Sequence, residues 1–208
     1  MPIVDITREY VSHVGKLEIS VREVQLQSAQ TAYTGLIYQF SSDSMQGSYL
    51  DLPGHIKETD DGLTAADIPA EQLYRVPAAL IRLERPSGSG AVSAQDLQAA
   101  YGAVPSCPAV IINALGPLNP REIEQRSVYL DLSAVDWLIA CGCRLLVSDI
   151  YESTALEGVF LRLFQAGVWT YCEPVNLGQI AAPAVRLTVL FPKFARLTQF
   201  PCRGIVEW

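Results

Sequence analysis

The chain has 208 residues, half of them hydrophobic and 18% charged, with five cysteines and only two histidines. That length buries a substantial core without metal or disulfide, and a mean hydropathy of +0.20 excludes intrinsic disorder. Twenty-two acidic against fifteen basic side chains give a formal charge of −7, which argues against nucleic acid or an anionic membrane as partner.

In chain order, the opening Met1-Pro2-Ile3-Val4-Asp5 lacks the basic start and apolar stretch of a secretory signal. Leu17 to Ser28 and Ala32 to Phe40 are rich in β-branched and aromatic residues and are expected to be strands. Pro86-Ser87-Gly88-Ser89-Gly90 is a surface turn. Ser93 and Asp96 form a capping box that opens a helix over Ala94 to Tyr101, which Gly102 stops. Ala109-Val110-Ile111-Ile112 predicts a strand buried on both faces. Asn119 and Pro120 pair as N-cap and first helical position. Ser133 and Asp136 cap a helix running to Cys141, which Gly142 ends, and Cys143 to Val147 follows as a strand leading to Asp149. Thr154 and Glu157 are expected to cap a helix over Ala155 to Ala166, with Val168 to Glu173 as the next strand. Val185 to Pro192 and Cys202 to Glu207 return to strand. Helix–strand–helix–strand with short connections implies parallel pairing, so the fold class is α/β, a mixed sheet with flanking helices in a single domain over residues 1–208. The best apolar run, Ala134 to Cys143, is interrupted by Asp136 and falls short of a membrane span. An odd cysteine count without a C-x-x-C pair suits reduced thiols in the cytoplasm, and Cys141 and Cys143 lack the partners of a structural zinc site.

The chemistry is narrowed by what is absent. There is no phosphate-binding loop, no dinucleotide fingerprint and no nucleophile elbow. His13 lies in a polar stretch and reads as a solvated loop residue. His55 ends a tight Gly/Pro-rich connection four residues after Asp51, so the two side chains reach the same side; the alternative is that Asp51 caps the turn and His55 is incidental. Trp169, Tyr171 and Glu173 share one strand face by alternation, and Val168, Thr170 and Cys172 the other. Glu173 and Asp149 each end a strand, as site residues or as satisfied structural acids.

Met45-Gln46-Gly47-Ser48-Tyr49-Leu50-Asp51-Leu52-Pro53-Gly54-His55 resembles the H-x-G-T-H-x-D-x-P-x-H motif of the cyclase family, to which bacterial kynurenine formamidase and isatin hydrolase belong. Ile3 to Thr7, Leu132-Ser133-Ala134 through Trp137-Leu138, Glu173-Pro174-Val175-Asn176-Leu177 and Phe200 to Gly204 are similar to further family segments in the same order. The resemblance implies the family's swivelling β/β/α fold, frequent homo-oligomers, and one or two divalent metals held by the two leading histidines, the aspartate, a later histidine and a glutamate. Carried onto this sequence, those positions are Met45, Tyr49, Asp51, Leu161 and Glu173, while His55 takes the position of the acid–base histidine. Thioether is a soft ligand, neutral phenol a poor one, and leucine none at all, so no metal or other cofactor is expected.

What the resemblance leaves is His55, Asp51, Glu173 and Tyr49 as catalytic candidates, with Met45, Leu161, Trp169 and Tyr171 as substrate contacts. Two carboxylates brought together raise one pKa, and a charged His55 would offset them. The leading expectation is a metal-independent acid–base enzyme acting on a small carbonyl-containing metabolite by isomerisation, dehydration or ring closure. A non-catalytic small-molecule-binding protein and an amide, formamide or lactam hydrolase are the alternatives. Partners are expected to be the small-molecule substrate and further copies of the chain.

Overall fold

The computed structural model describes residues 1–11 and 17–208. Among these residues there are thirteen strands: β1 (Ile3–Asp5), β2 (Leu17–Gln27), β3 (Ala32–Ser42), β4 (Tyr49–Asp51), β5 (Val76–Arg82), β6 (Gly90–Val92), β7 (Ala109–Asn113), β8 (Val128–Leu130), β9 (Leu145–Ser148), β10 (Trp169–Cys172), β11 (Ala184–Leu190), β12 (Gln199–Pro201) and β13 (Arg203–Glu207). The helices are α1 (Ala94–Tyr101), α2 (Leu132–Ala140) and α3 (Val159–Gln165). Nine strands form one sheet in the order β1-β13-β11-β5-β7-β9-β10-β4-β12. Its centre, β5-β7-β9-β10, is parallel and both flanks are antiparallel.

Parallel strands need long crossovers, and here these carry the helices. Leu97 of α1, Leu138 of α2 and Leu163 of α3 pack with Ile81, Val110, Ile112 and Leu146 on one side of the sheet. Leu80, Ile111, Val147, Tyr171, Leu187 and Phe200 fill a second core on the other. Ala109 to Ile112 are fully buried, as their unbroken apolar run predicts.

The capping box of α1 forms as read, and Gly102 ends the helix in the left-handed region at φ 75°. The starts of α2 and α3 differ from expectation. Asp131, not Ser133, caps α2, its Oδ1 accepting from Ala134 N at 2.9 Å, while Asp136 pairs with Arg162 at 2.7 Å. Helix α3 starts at Val159 because the Glu152 carboxylate accepts the N–H groups of Glu157, Gly158 and Val159 at 2.8, 3.1 and 2.8 Å. One buried carboxylate serving three donors outcompetes the Thr154/Glu157 cap expected from the sequence. Asn119 and Glu122 do form a capping box, around a single 3₁₀ turn, Pro120–Glu122.

Among the described residues, strands β2 and β3 pair only with each other, over eleven residues in strict register. Ile19, Val21, Leu36, Tyr38 and Phe40 alternate onto one face of this ribbon, and all are more than half exposed. Tyr10 Oη donates to Ser42 Oγ at 2.5 Å at the ribbon's base.

Gly204 in β13 shows how tightly the second core closes. A methyl group there would lie 2.7 Å from Tyr171 Oη and 2.8 Å from Ile6 Cγ1. Gly204→Ala is therefore expected to cost about 2–3 kcal/mol, read as a lower urea midpoint. An unchanged midpoint would mean that Tyr171 and Ile6 yield freely.

Candidate active site

Strand β4 lies between β10 and β12, and its register decides which side chains meet. Asp51 pairs with Thr170 and Gln199, and Tyr49 with Cys172 and Pro201. Alternation then puts Tyr49, Asp51, Thr170 and Cys172 on one face and sends Leu50, Tyr171 and Phe200 into the core behind.

The first face borders a cavity of about 500 Å³, a size suited to a small molecule. Met45, Tyr49, Cys172 and Glu173 line it, with Tyr151 and Phe160 as aromatic walls. Of the eight candidates from the sequence, Met45, Tyr49 and Glu173 thus reach the cavity, and Asp51 touches its lining residue Cys172. Leu161 does not line it and is partly exposed on α3. Tyr171 is fully buried in the core, its hydroxyl 3.4 Å from Ile6 O, and Trp169 packs against the same core. The face shared by Trp169 and Tyr171 is the wrong one for a substrate. His13 lies outside the described residues.

Asp51 is 2% exposed. Its Oδ2 accepts from Cys172 Sγ at 3.5 Å, and its Oδ1 is buried without a hydrogen-bond partner. Burial pushes the carboxyl up to about 7, while the Gln199, Cys172 and Thr170 side chains pull the other way. Tyr49 is buried too, and desolvation raises its phenol well above the ordinary range, so it stays protonated.

Glu173 leaves the strand with φ 57°, a left-handed conformation that turns it away from the Trp169/Tyr171 face. Its Oε2 lies 3.0 Å from Nε of Arg8 and 3.0 Å from Nε of Arg121. Ser48 fixes this corner, donating to Glu173 O and accepting from Arg8 N, both at 2.8 Å. A carboxylate oxygen engaged by two guanidiniums is a structural counter-ion, poorly placed to act as base.

His55 closes a 3₁₀ turn, Pro53–His55, and its ring meets Phe164 edge-on at 6.4 Å. It is exposed and does not line the cavity. Ser44 Oγ donates to Gln199 Oε1 at 2.5 Å, which turns the amide nitrogen of Gln199 toward His55 Nε2, 3.1 Å away. An amide N–H aimed at Nε2 requires that nitrogen to accept, which selects the neutral tautomer protonated at Nδ1. Desolvation also lowers the imidazole below its ordinary range. Both features disfavour the charged His55 expected to offset the acids, and Gln199 stands between it and Asp51.

Asp149 resolves as a structural acid. It accepts from Ala114 N, Leu115 N and Asn113 Nδ2 at 2.9, 3.1 and 3.1 Å, tying β7 to β9, and burial holds it up at about 6.

The donors do not fit a divalent metal. Asp51 and Glu173 are the hard oxygens of the set carried over by resemblance, and Glu173 already holds two cations. Among the described residues no group of three or more His, Cys, Asp or Glu side chains could hold a metal ion. No helix among them is long and apolar enough to cross a membrane, and all five cysteines are unbridged.

Arg8, Arg121, Cys172 and Gln199 are the site residues that the sequence did not announce. Only Cys172 carried a signal, its two-residue spacing from Thr170 on the strand.

Residues 4–153 match the family model described as "Putative cyclase". No curated protein matches the chain. Among solved structures, isatin hydrolase A from Labrenzia aggregata bound to benzyl benzoate superposes with a TM-score of 0.72 at 15% identity, covering 99% of this chain and 93% of that one. A "predicted metal-dependent hydrolase" from Bacillus stearothermophilus gives 0.72 at 14%, covering 99% and 97%. Isatin hydrolase A from Ralstonia solanacearum gives 0.71 at 16%, covering 99% and 91%. At these identities the likeness is one of fold.

Proposed function

The chain belongs to the cyclase family, and from the residues of its cavity we propose that it catalyses proton transfer on a small carbonyl-containing metabolite without a divalent metal. Isomerisation, dehydration and ring closure are the reactions within reach. The observation that carries this reading is Asp51, a buried carboxyl pushed up to about 7 with one oxygen unpartnered, beside a phenol that stays protonated. A general acid–base works best with a pKa near the operating pH. In this reading Tyr49 donates to the substrate's carbonyl oxygen, and Asp51 takes the proton by way of the Cys172 thiol that borders the cavity. Gln199 and His55 position Asp51 from behind.

The test is solvent deuterium incorporation, followed by NMR in D2O over a panel of 2-oxo acids, β-oxo acids and lactones. The wild-type chain is expected to exchange the proton next to the carbonyl of at least one member. Tyr49→Phe should slow that exchange by about 10²–10³-fold, the usual loss for one donor to a developing oxyanion. Binding of panel members with neither exchange nor turnover would sink the catalytic reading and leave the second one, a ligand-binding protein without activity. The clamping of Glu173 by Arg8 and Arg121 favours that second reading, because it removes one base from the cavity.

We propose further that the chain is a cytoplasmic homo-oligomer associating through the β2–β3 ribbon. Five unbridged cysteines suit a reducing compartment. An isolated two-stranded hairpin is marginally stable in water, and five large apolar side chains on one face of this one, Ile19, Val21, Leu36, Tyr38 and Phe40, are more than half exposed. A second copy supplies the same apolar face in a self-complementary contact.

A further inference from the structure

We infer that the ligand of this cavity carries a carboxylate, held by Arg126 and the terminal nitrogens of Arg121. The inference rests on the reading above that the cavity is the ligand site.

The argument is one of unused hydrogen-bonding capacity. Three carboxylates line the cavity, and each already serves the fold. Asp149 accepts from two backbone amides and Asn113, Glu152 accepts three N–H groups at the start of α3, and Glu173 Oε2 holds Arg8 and Arg121. The donors are in the opposite condition. Arg121 reaches Glu173 through Nε alone, so its two terminal nitrogens remain for a ligand. Arg126 lines the cavity and makes no hydrogen bond or ion pair among the described residues. Behind them, Arg8 Nη2 is buried without a partner, so the two guanidiniums on Glu173 are under-supplied with acceptors. A ligand that complements such a wall brings acceptor oxygens, and a carboxylate matches the fork of a guanidinium.

Arg126 carries a second, independent sign. It sits in the turn closed by Ser127 N to Glu124 O at 3.1 Å, with φ 58°. At the third position of a turn, positive φ is the place for glycine or asparagine. A strained backbone that presents an unpartnered side chain to a cavity points to a role for that side chain.

The experiment measures binding by ligand-detected NMR with benzoate, phenylacetate and phenylpyruvate, each against its uncharged amide, the aromatic rings matching Tyr49, Tyr151 and Phe160. Each acid is expected to bind at least tenfold tighter than its amide. Arg126→Gly is expected to lose at least tenfold in affinity for the acids while unfolding at a higher urea concentration, because glycine relieves the turn. Arg126→Met tests the charge with the strain kept, and should lose the same affinity. Amides binding as well as acids, no acid binding at about 10 mM, or Arg126→Gly binding unchanged would each overturn the inference. Acid binding that depends on Arg126, without deuterium exchange on any substrate, would leave it standing and remove the catalytic reading instead.

Discussion

Asp51→Asn is expected to remove turnover by about 10³-fold or more, within the range for loss of a general acid–base, while making the fold more resistant to urea at alkaline pH. The second half follows from linkage. The folded carboxyl titrates at about 7 and the unfolded one at 3.8. Between those values the native state binds more protons than the unfolded state, so the group's contribution is fully present below the lower value and is lost as pH rises through the upper one. Asparagine does not titrate, and the loss disappears with the proton. From pH 5 to pH 8 the wild-type chain should therefore lose roughly 3 kcal/mol more stability than the variant. Asp149, also raised by burial, contributes equally to both proteins. Urea titrations at the two pH values measure the difference. Parallel losses would show that Asp51 ionises as an ordinary carboxylate, and its place in the proposed chemistry would fall with that result.

Paired charge on the ribbon should have the next largest effect. Tyr38 and Phe40 lie on the same face of β3, opposite Val21 and Ile19 of β2. Placing Glu at both positions leaves the cross-strand ladder intact and makes the proposed contact face acidic on each copy. The dissociation constant of the oligomer is expected to rise at least 100-fold, about 3 kcal/mol, measured by sedimentation velocity across a concentration series. The urea midpoint of the nine-stranded sheet should stay where it was. A wild-type chain that sediments as a monomer at every concentration, or a double variant that sediments like wild type, rules the interface out.

The strands were legible in the sequence where burial was symmetrical. Ala109 to Ile112 announced itself because every side chain is apolar, and the ribbon strands because β-branched and aromatic residues recur along both. Which face of a strand meets the cavity was less legible. Strand β10 is almost fully buried on both sides, so alternation groups Trp169 with Tyr171 but is silent on which group faces a ligand. Its pairing with β4 settles that, and pairing between distant segments leaves no local trace. Glu173 was placed by the same alternation, which its left-handed φ breaks. Arg8 lies in the loop after β1 and Gln199 opens β12, both distant in sequence from β4 and β10, and nothing around either residue signals a site. Leu161 takes its place only from the family resemblance, and it is its neighbour Phe160 on α3 that lines the cavity.

The register of β4 has a consequence for mutation as well as for chemistry. Its three residues are held from both edges, and side chains in a strand alternate with a period of two. A shift by one residue would not weaken the site by degrees. It would turn Leu50 toward the ligand and drive the phenol and the carboxyl into the hydrocarbon around Phe200. Single-residue insertions or deletions in the loop before Tyr49 should thus act as a switch with two positions, while substitutions in that loop only adjust its setting.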